Sequence, residues 1–169
     1  MGTQHLDFAE FYRSSRDECL RTVMVITGDH DSAQELVAEA FARACASWRT
    51  VSGHPEPAAW VVRTALNVNV SRWRHRRWET PFSDLGVLAG QAAAAQDPVD
   101  PGIMAALLRL PARQRQVIAL RLILDLDTTD TARVLGIRPN TVMAHMARAL
   151  ATLRSDLALV LEPQQEIQR

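Results

Sequence analysis

The sequence predicts an all-α protein made of two small helical domains joined by an acidic linker. Apolar residues recur at three- and four-residue intervals through most of the chain, and no segment shows the alternation of a β-strand. A stretch rich in proline, glycine and acidic residues separates the helical parts. With 169 residues, 47% hydrophobic and 22% charged, the composition is globular and fits one domain or two small ones.

The first predicted domain comprises residues 1–80 and contains three helices, each with apolar residues on one side. The periodicity places these helices at 6–27, 32–48 and 57–78. Asp31 or Ser32 is expected to cap the second helix, because both side chains accept hydrogen bonds from first-turn amides. Pro57 can open the third helix, since a first-turn residue needs no backbone N–H donor.

Residues 81–103 form the predicted linker. Residues 79–103 contain four acidic residues and no arginine, and one weak helical turn is expected near 85–95. The second predicted domain comprises residues 104–162 and is followed by a tail at 163–169. Its first two helices are expected at 104–110 and 112–124.

The second half of this domain predicts a helix-turn-helix. A short helix ends at Gly136, which tolerates a left-handed backbone, and Ile137 can fill the corner between two helices. A second helix follows Pro139, with Asn140 or Thr141 as its cap, and runs to about residue 161. In a helix-turn-helix the second helix enters the DNA major groove. An ordinary helical hairpin shows the same local pattern, so this segment alone leaves DNA binding open.

The charge is zero in total and uneven along the chain. All 19 basic residues are arginine, and they balance 19 acidic residues. Residues 71–78 contain four arginines and no acid, whereas residues 104–160 contain eight arginines and four acids. Two basic zones therefore surround an acidic middle, and arginine suits phosphate because its guanidinium forks onto two oxygens.

Several classes of function are not supported by the sequence. Cys19 and Cys45 form no CxxC pair, so both are predicted to be small buried side chains and no metal site is expected. No Ser-His-Asp set or glycine-rich phosphate loop is visible, so we expect no cofactor and no enzymatic activity. With no apolar signal stretch and no run of membrane-spanning length, a cytoplasmic location without membrane contact is expected.

A basic face is predicted on the third helix of the first domain. This face is shared by residues three or four apart: Arg63, Asn67, Ser71, Arg74 and Trp78. Arginine suits phosphate, asparagine suits base edges, and tryptophan stacks on unpaired bases. The alternative is a solvated helix end whose arginines complement the helix dipole.

Four segments carry a family resemblance, in matching order and spacing. Residues 28–41 resemble a core-binding helix, and residues 60–74 resemble a promoter-melting and minus-ten-reading segment. Residues 107–117, which include LPARQRQV, and residues 132–150 resemble the opening and the helix-turn-helix of a second conserved region. Together these segments resemble regions two and four of extracytoplasmic-function sigma factors of the sigma-70 superfamily, in an actinobacterial form.

The resemblance implies a promoter-specificity factor whose partners are core RNA polymerase and promoter DNA, with an anti-sigma factor as a further partner. The second domain would grip the β flap, and the first would dock on the β′ clamp helices through Glu35, Leu36, Glu39, Phe41 and Arg43. Minus-ten contacts are implied for Arg63, Asn67, Ser71, Arg72, Trp73, Arg74, Arg76 and Arg77. Minus-thirty-five contacts are implied for Arg138, Asn140, Thr141, His145 and Arg148.

Three places depart from the family pattern. Ala38 stands where the core-binding helix usually has glutamine, and the first helix of the helix-turn-helix lacks the glutamate that is usual near Asp130. Met143, Ala144 and His145 replace the usual basic and polar residues of the recognition helix. His145 is then expected to be the remaining polar base reader on the outward face, or simply to face solvent. Two other functions stay open: a stand-alone helix-turn-helix regulator, and a sigma-like interaction protein with weakened DNA binding.

Overall fold

The computed structural model of the chain describes residues 7–79 and 99–161, without the side chains of 75–79 and 157–161. These residues contain no strand, which confirms the all-α class. The helices are α1 (Phe8–Thr27), α2 (His30–Ala46), α3 (Trp48–Val51), α4 (Pro57–Glu79), α5 (Pro101–Arg109), α6 (Ala112–Ile118), a π-helical turn (Ala119–Ile123), α7 (Thr128–Leu135) and α8 (Pro139–Leu161). The weak turn predicted near 85–95 and the tail lie outside the described residues.

The chain divides into two compact units between Gln96 and Asp97. Unit 1 contains α1 to α4, and unit 2 contains α5 to α8. In unit 1, α2 packs against both α1 and α4, and Val23, Leu36 and Val61 are fully buried among them. An aromatic cluster covers one end of this core, where the Phe11 and Trp48 rings stack with centroids 5.0 Å apart.

The corner between α1 and α2 is built by two consecutive residues. Gly28 has φ 77° and its N–H donates to Met24 O at 2.8 Å, so the left-handed residue ends α1 as predicted. Asp29 caps α2, because its Oδ2 accepts from the Ser32 N–H at 2.9 Å. The cap predicted at Asp31 or Ser32 is therefore wrong by two or three residues.

The end of α2 also differs from prediction. α2 ends at Ala46, and a separate short helix, α3, places Val51 in the core at 1% exposure, where a loop was expected. Cys19 is fully buried, and burial raises the pKa of its thiol to about 12. Cys45 is exposed, so its predicted burial is wrong.

Unit 2 begins before the predicted end of the linker. Asp100 caps α5, accepting from the amides of Gly102 and Ile103, so residues 101–103 are helical. The single helix predicted at 112–124 is instead α6 followed by a π-helical turn. The wider turn is closed by the Leu124 N–H, which donates to Ala119 O at 3.2 Å.

The helix-turn-helix is formed by α7 and α8. Gly136 has φ 64°, and its N–H donates to Ala132 O, ending α7 as predicted. Ile137 packs against a cluster of Val117, Ala132 and Val142, which joins α6, α7 and α8. Because α8 starts at Pro139, Asn140 and Thr141 lie inside its first turn, so the cap predicted there is wrong.

Candidate polymerase and DNA interface

The basic face predicted on α4 is present and open to solvent. Arg63, Asn67, Ser71 and Arg74 are all exposed, while Val61, Ala65 and Val68 on the opposite side of the helix are buried. Trp73 is 46% exposed, beside this face. The arrangement offers guanidinium groups, an amide and an aromatic ring to one ligand, which are the groups that bind phosphates, base edges and unpaired bases.

Three further residues of this predicted DNA surface lie at the end of α4. Arg76, Arg77 and Trp78 belong to the helix, but their side chains are outside the described part of the structure. Their contacts with DNA stay predictions.

Arg72 does not point freely into solvent. Its Nη1 donates to Glu35 Oε2 at 3.0 Å and its Nη2 donates to Glu39 Oε2 at 2.8 Å, which ties α4 to α2. Glu39 also accepts from Arg43 at 2.6 Å through its other oxygen. A residue predicted to contact DNA and three residues predicted to contact polymerase therefore form one ion-pair cluster, and no spacing rule along a single helix could show this.

Two residues predicted to contact polymerase lie in the core instead. Leu36 is 1% exposed and Phe41 is 2% exposed, and both belong to the buried side of α2. We therefore correct their assignment from a docking surface to the packing of unit 1. Leu36 and Phe41 recur at helical spacing with the apolar residues Ala33, Val37 and Ala40, and this pattern in the sequence indicates the buried side of α2.

An open groove between α1 and α2 was not predicted from the sequence. It has a volume of about 250 Å³, and its lining residues are Tyr12, Arg16, Leu20, Gln34, Val37, Ala38 and Phe41. Phe41, which is otherwise part of the core, is one of the residues that line it. Ala38, with its single methyl group, leaves space that a longer side chain would occupy.

In unit 2 the exposed residues of α8 between its first turn and Arg148 are apolar. Asn140, Thr141 and Arg148 are exposed as predicted, and Arg138 is exposed just before the helix. Met143 is 61% exposed, so an apolar side chain stands where a polar reader is usual.

His145 is only partly exposed. The residue is half-buried, and its Nδ1 is buried without a hydrogen-bond partner in the described structure. The face predicted for His145 is therefore only partly open to solvent, and its contact with bases stays a prediction.

Several arginines of unit 2 are used inside the unit. Arg115 donates to the carbonyls of Leu108 and Leu110, both at 3.3 Å, and burial lowers the pKa of its guanidinium. Arg109 pairs with Asp156 at 3.0 Å. Arg138, Arg148 and Arg154 form no ion pair among the described residues, so all three are available to a phosphate; Arg138 and Arg148 lie nearer the N-terminus of α8.

Neither a metal site nor a membrane span is found in the described ranges. No group of three or more His, Cys, Asp or Glu residues there is arranged to hold a metal ion. No described helix is long and apolar enough to cross a membrane.

A four-helix unit with a basic, tryptophan-bearing helix is followed by a helix-turn-helix unit, an arrangement typical of a DNA-binding protein. Residues 11–79 match the family model for sigma-70 region 2, and residues 102–153 match the model for sigma-70 region 4. The RNA polymerase sigma-E factor of Streptomyces coelicolor is 32% identical over 153 residues, covering 90% of this chain and 86% of the relative. The sigma-E factor of Streptomyces antibioticus is 31% identical over 90% of this chain and 85% of its own length.

A solved structure shows the same fold. The sigma factor RpoE of Bartonella quintana, in complex with the anti-sigma factor NepR, matches with a TM-score of 0.71 at 21% identity, covering 90% of this chain and 97% of RpoE. The chain belongs to the sigma-70 family, in the extracytoplasmic-function group of RNA polymerase sigma factors. Its function is to direct transcription initiation.

Proposed function

We propose that unit 1 docks on core RNA polymerase and reads the minus-ten element, while unit 2 contacts the minus-thirty-five element. The observation that carries this proposal is the exposed α4 face, on which Arg63, Asn67, Ser71 and Arg74 stand beside an exposed Trp73. Asn67 is the base reader of this set, because an amide can both donate to and accept from a base edge. Arg76 and Arg77, further along the same helix, would add phosphate contacts.

The polymerase contact is assigned to the outer side of α2. Glu35, Glu39 and Arg43 supply charged groups for the β′ clamp helices, and the groove bounded by Tyr12 and Ala38 supplies an apolar recess beside them. Unit 2 would meet the β flap. In this scheme polymerase performs the chemistry, the chain is not itself an enzyme, and it acts in the cytoplasm without a cofactor.

The proposed contact of unit 2 with DNA depends more on phosphates than on bases. Arg138 lies next to the first amides of α8, where a helix N-terminus favours an anion, and Arg148 lies further along the exposed face. Asn140 and Thr141 add hydrogen bonds in the first turn. Met143 is suited to the methyl group of thymine, which is the apolar feature of the major groove.

The domain limits of this scheme are 1–80 for region two, 81–103 for the linker, whose last three residues belong to α5, and 104–162 for region four, followed by the tail. The family models, which match 11–79 and 102–153, support limits close to these. An anti-sigma factor is proposed as a further partner, because the RpoE relative was solved with one.

A sigma-like protein that binds polymerase but has lost upstream DNA contact is the second candidate. The half-buried His145 and the exposed, apolar Met143 favour it, since neither offers a fully exposed polar group at the positions where the family usually has basic and polar residues. A stand-alone regulator is less well supported, because region 2 also matches and the curated relatives are RNA polymerase sigma factors.

Reconstitution with core RNA polymerase tests the proposal. Purified chain is added to core enzyme from Streptomyces coelicolor, and transcripts started on a genomic DNA library are mapped by their 5′ ends. A shared pair of upstream elements is expected among the start sites. Asn67→Ala is expected to relax base choice at one minus-ten position, at a cost of about 1–3 kcal/mol. If the holoenzyme forms and starts no transcript, the second candidate replaces the first.

A further inference from the structure

We propose that Arg72 is an exchangeable partner that couples polymerase docking to DNA binding. In the free chain its guanidinium is held by the carboxylates of α2, and docking of the β′ clamp on those carboxylates releases it to a promoter phosphate. This inference rests on the proposed function, because it requires that Glu35 and Glu39 meet cations of the clamp.

The geometry shows why the carboxylates cannot serve both partners at once. Both terminal nitrogens of Arg72 are committed, one to Glu35 at 3.0 Å and one to Glu39 at 2.8 Å. Both oxygens of Glu39 are also occupied, since Arg43 takes the other at 2.6 Å. A cation of the clamp that binds Glu39 therefore competes with a guanidinium already there.

The position of Arg72 on α4 supplies the second half of the exchange. It follows Ser71 and precedes Trp73 and Arg74, three residues that are exposed on or beside the proposed DNA face. An arginine side chain is long and flexible enough to turn from the α2 side to that face without moving the helix. Released, it adds one cation to the surface that contacts the single strand.

The side chains of the cluster are exposed to water, so the ion pairs of Arg72 can separate at a small cost in free energy. The side chains of Arg72, Glu35 and Glu39 are 41%, 71% and 33% exposed, so water screens the pairs and compensates the charges when they separate. Coupling between two sites is reciprocal: if the clamp raises affinity for DNA by some factor, DNA raises affinity for the clamp by the same factor. For pairs of this exposure the expected factor is about two- to fivefold.

The experiment measures two affinities for four full-length chains: wild type, Arg72→Gln, Glu35→Gln/Glu39→Gln, and the triple variant. One is the affinity for core RNA polymerase. The other is the affinity of the free chain for a fluorescein-labelled thymidine oligonucleotide, followed by anisotropy. We expect Arg72→Gln to bind polymerase about two- to fivefold more tightly, because the competitor is gone. We expect the double carboxylate variant to bind the oligonucleotide more tightly by a similar factor.

The triple variant separates exchange from general charge effects. Removing the two carboxylates should no longer raise oligonucleotide affinity once Arg72 is glutamine. Arg49→Gln and the double variant Glu10→Gln/Glu56→Gln are matched controls in unit 1, since all three residues are exposed and outside the cluster. They change the net charge by the same amounts as Arg72→Gln and the double carboxylate variant.

Two results would overturn the exchange. If Arg72→Gln weakens polymerase binding, Arg72 is a structural tie between α2 and α4. If both affinities stay within the range of the controls, the cluster has no coupling role. In either case wild-type chain still binds polymerase and initiates transcription, whereas failure of wild-type binding itself would contradict the proposed function.

Discussion

Replacing Gly136 by alanine tests the construction of the helix-turn-helix. Gly136 has φ 64°, and a Cβ built on it would meet no atom within 4 Å. The substitution therefore introduces no clash and costs only the strain of a left-handed alanine, roughly 1–2 kcal/mol. Loss of chain entropy in the unfolded state offsets about 0.4–1 kcal/mol of this. We expect unit 2 to be destabilised by about 1 kcal/mol, a fivefold rise in its unfolded fraction.

The tryptophans make this effect separable between the two units. All four lie between residues 48 and 78, within unit 1, so their fluorescence during urea unfolding reports that unit. Hydrogen exchange of the α7 and α8 amides reports unit 2. Gly136→Ala should lower exchange protection in α7 and α8 and leave the fluorescence midpoint unchanged, whereas Gly53→Ala, at an ordinary φ in unit 1, should not affect α7 and α8.

A substitution that tolerates the left-handed region provides the matched control. Gly136→Asn should recover a large part of the lost stability, since asparagine adopts positive φ more readily than alanine. If Gly136→Ala lowers the unfolding free energy by more than about 3 kcal/mol, the new methyl group clashes with a neighbour. This result would contradict the open space found around Gly136. Equal losses for alanine and asparagine would refute the argument from backbone strain.

Three further changes test other parts of the fold. Asp29→Ala should destabilise unit 1 by about 1 kcal/mol at pH 7. Hydrogen bonds from Ser32 lower the pKa of Asp29 in the folded state, so the ionised cap stabilises unit 1 at pH values above the pKa of an unfolded aspartate. The difference in unfolding free energy between wild type and variant should therefore shrink when urea unfolding is repeated at lower pH. Leu36→Ala should lower the unfolding free energy of unit 1 by about 2–5 kcal/mol. If the fluorescence midpoint of urea unfolding does not change, Leu36 is not a core residue and belongs to the docking surface. His145→Phe should stabilise unit 2 by about 1 kcal/mol, because it removes a buried nitrogen that has no hydrogen-bond partner. The stability of unit 2 is measured from the hydrogen exchange of its amides as the temperature is raised. Weaker binding of this variant to the upstream element in footprinting would show that His145 contacts DNA after all.

Features set by neighbouring residues were predictable from the sequence. Gly136 and Ile137 form the predicted turn, because a left-handed glycine and an apolar plug act within a few residues of each other. The exposed face of α4 was predictable for the same reason, since helical periodicity alone decides which positions share a side. The spacing of its residues fixed their common orientation before any tertiary contact was known.

Features set by a second helix were not predictable in this way. Arg72 looked like its arginine neighbours until α2 brought Glu35 and Glu39 against it. His145 was expected on the open face of the recognition helix because of the family resemblance, yet it is half-buried and its Nδ1 is buried. The boundary between α2 and α3 depends on the burial of Val51, which is a property of unit 1 as a whole.

The π-helical turn at Ala119–Ile123 has a practical consequence for building chimaeric sigma factors. This turn carries one residue more than a regular helix would, and the residues after it are rotated relative to α6. A chimaera that joins α6 of one protein to the helix-turn-helix of another inside this turn would lose that offset, and the apolar side of α7 would no longer match its neighbours. Junctions placed before Ala112 keep the turn and the helices it orients in one piece, so swapped upstream specificity would then report the grafted recognition helix rather than a misfolded joint.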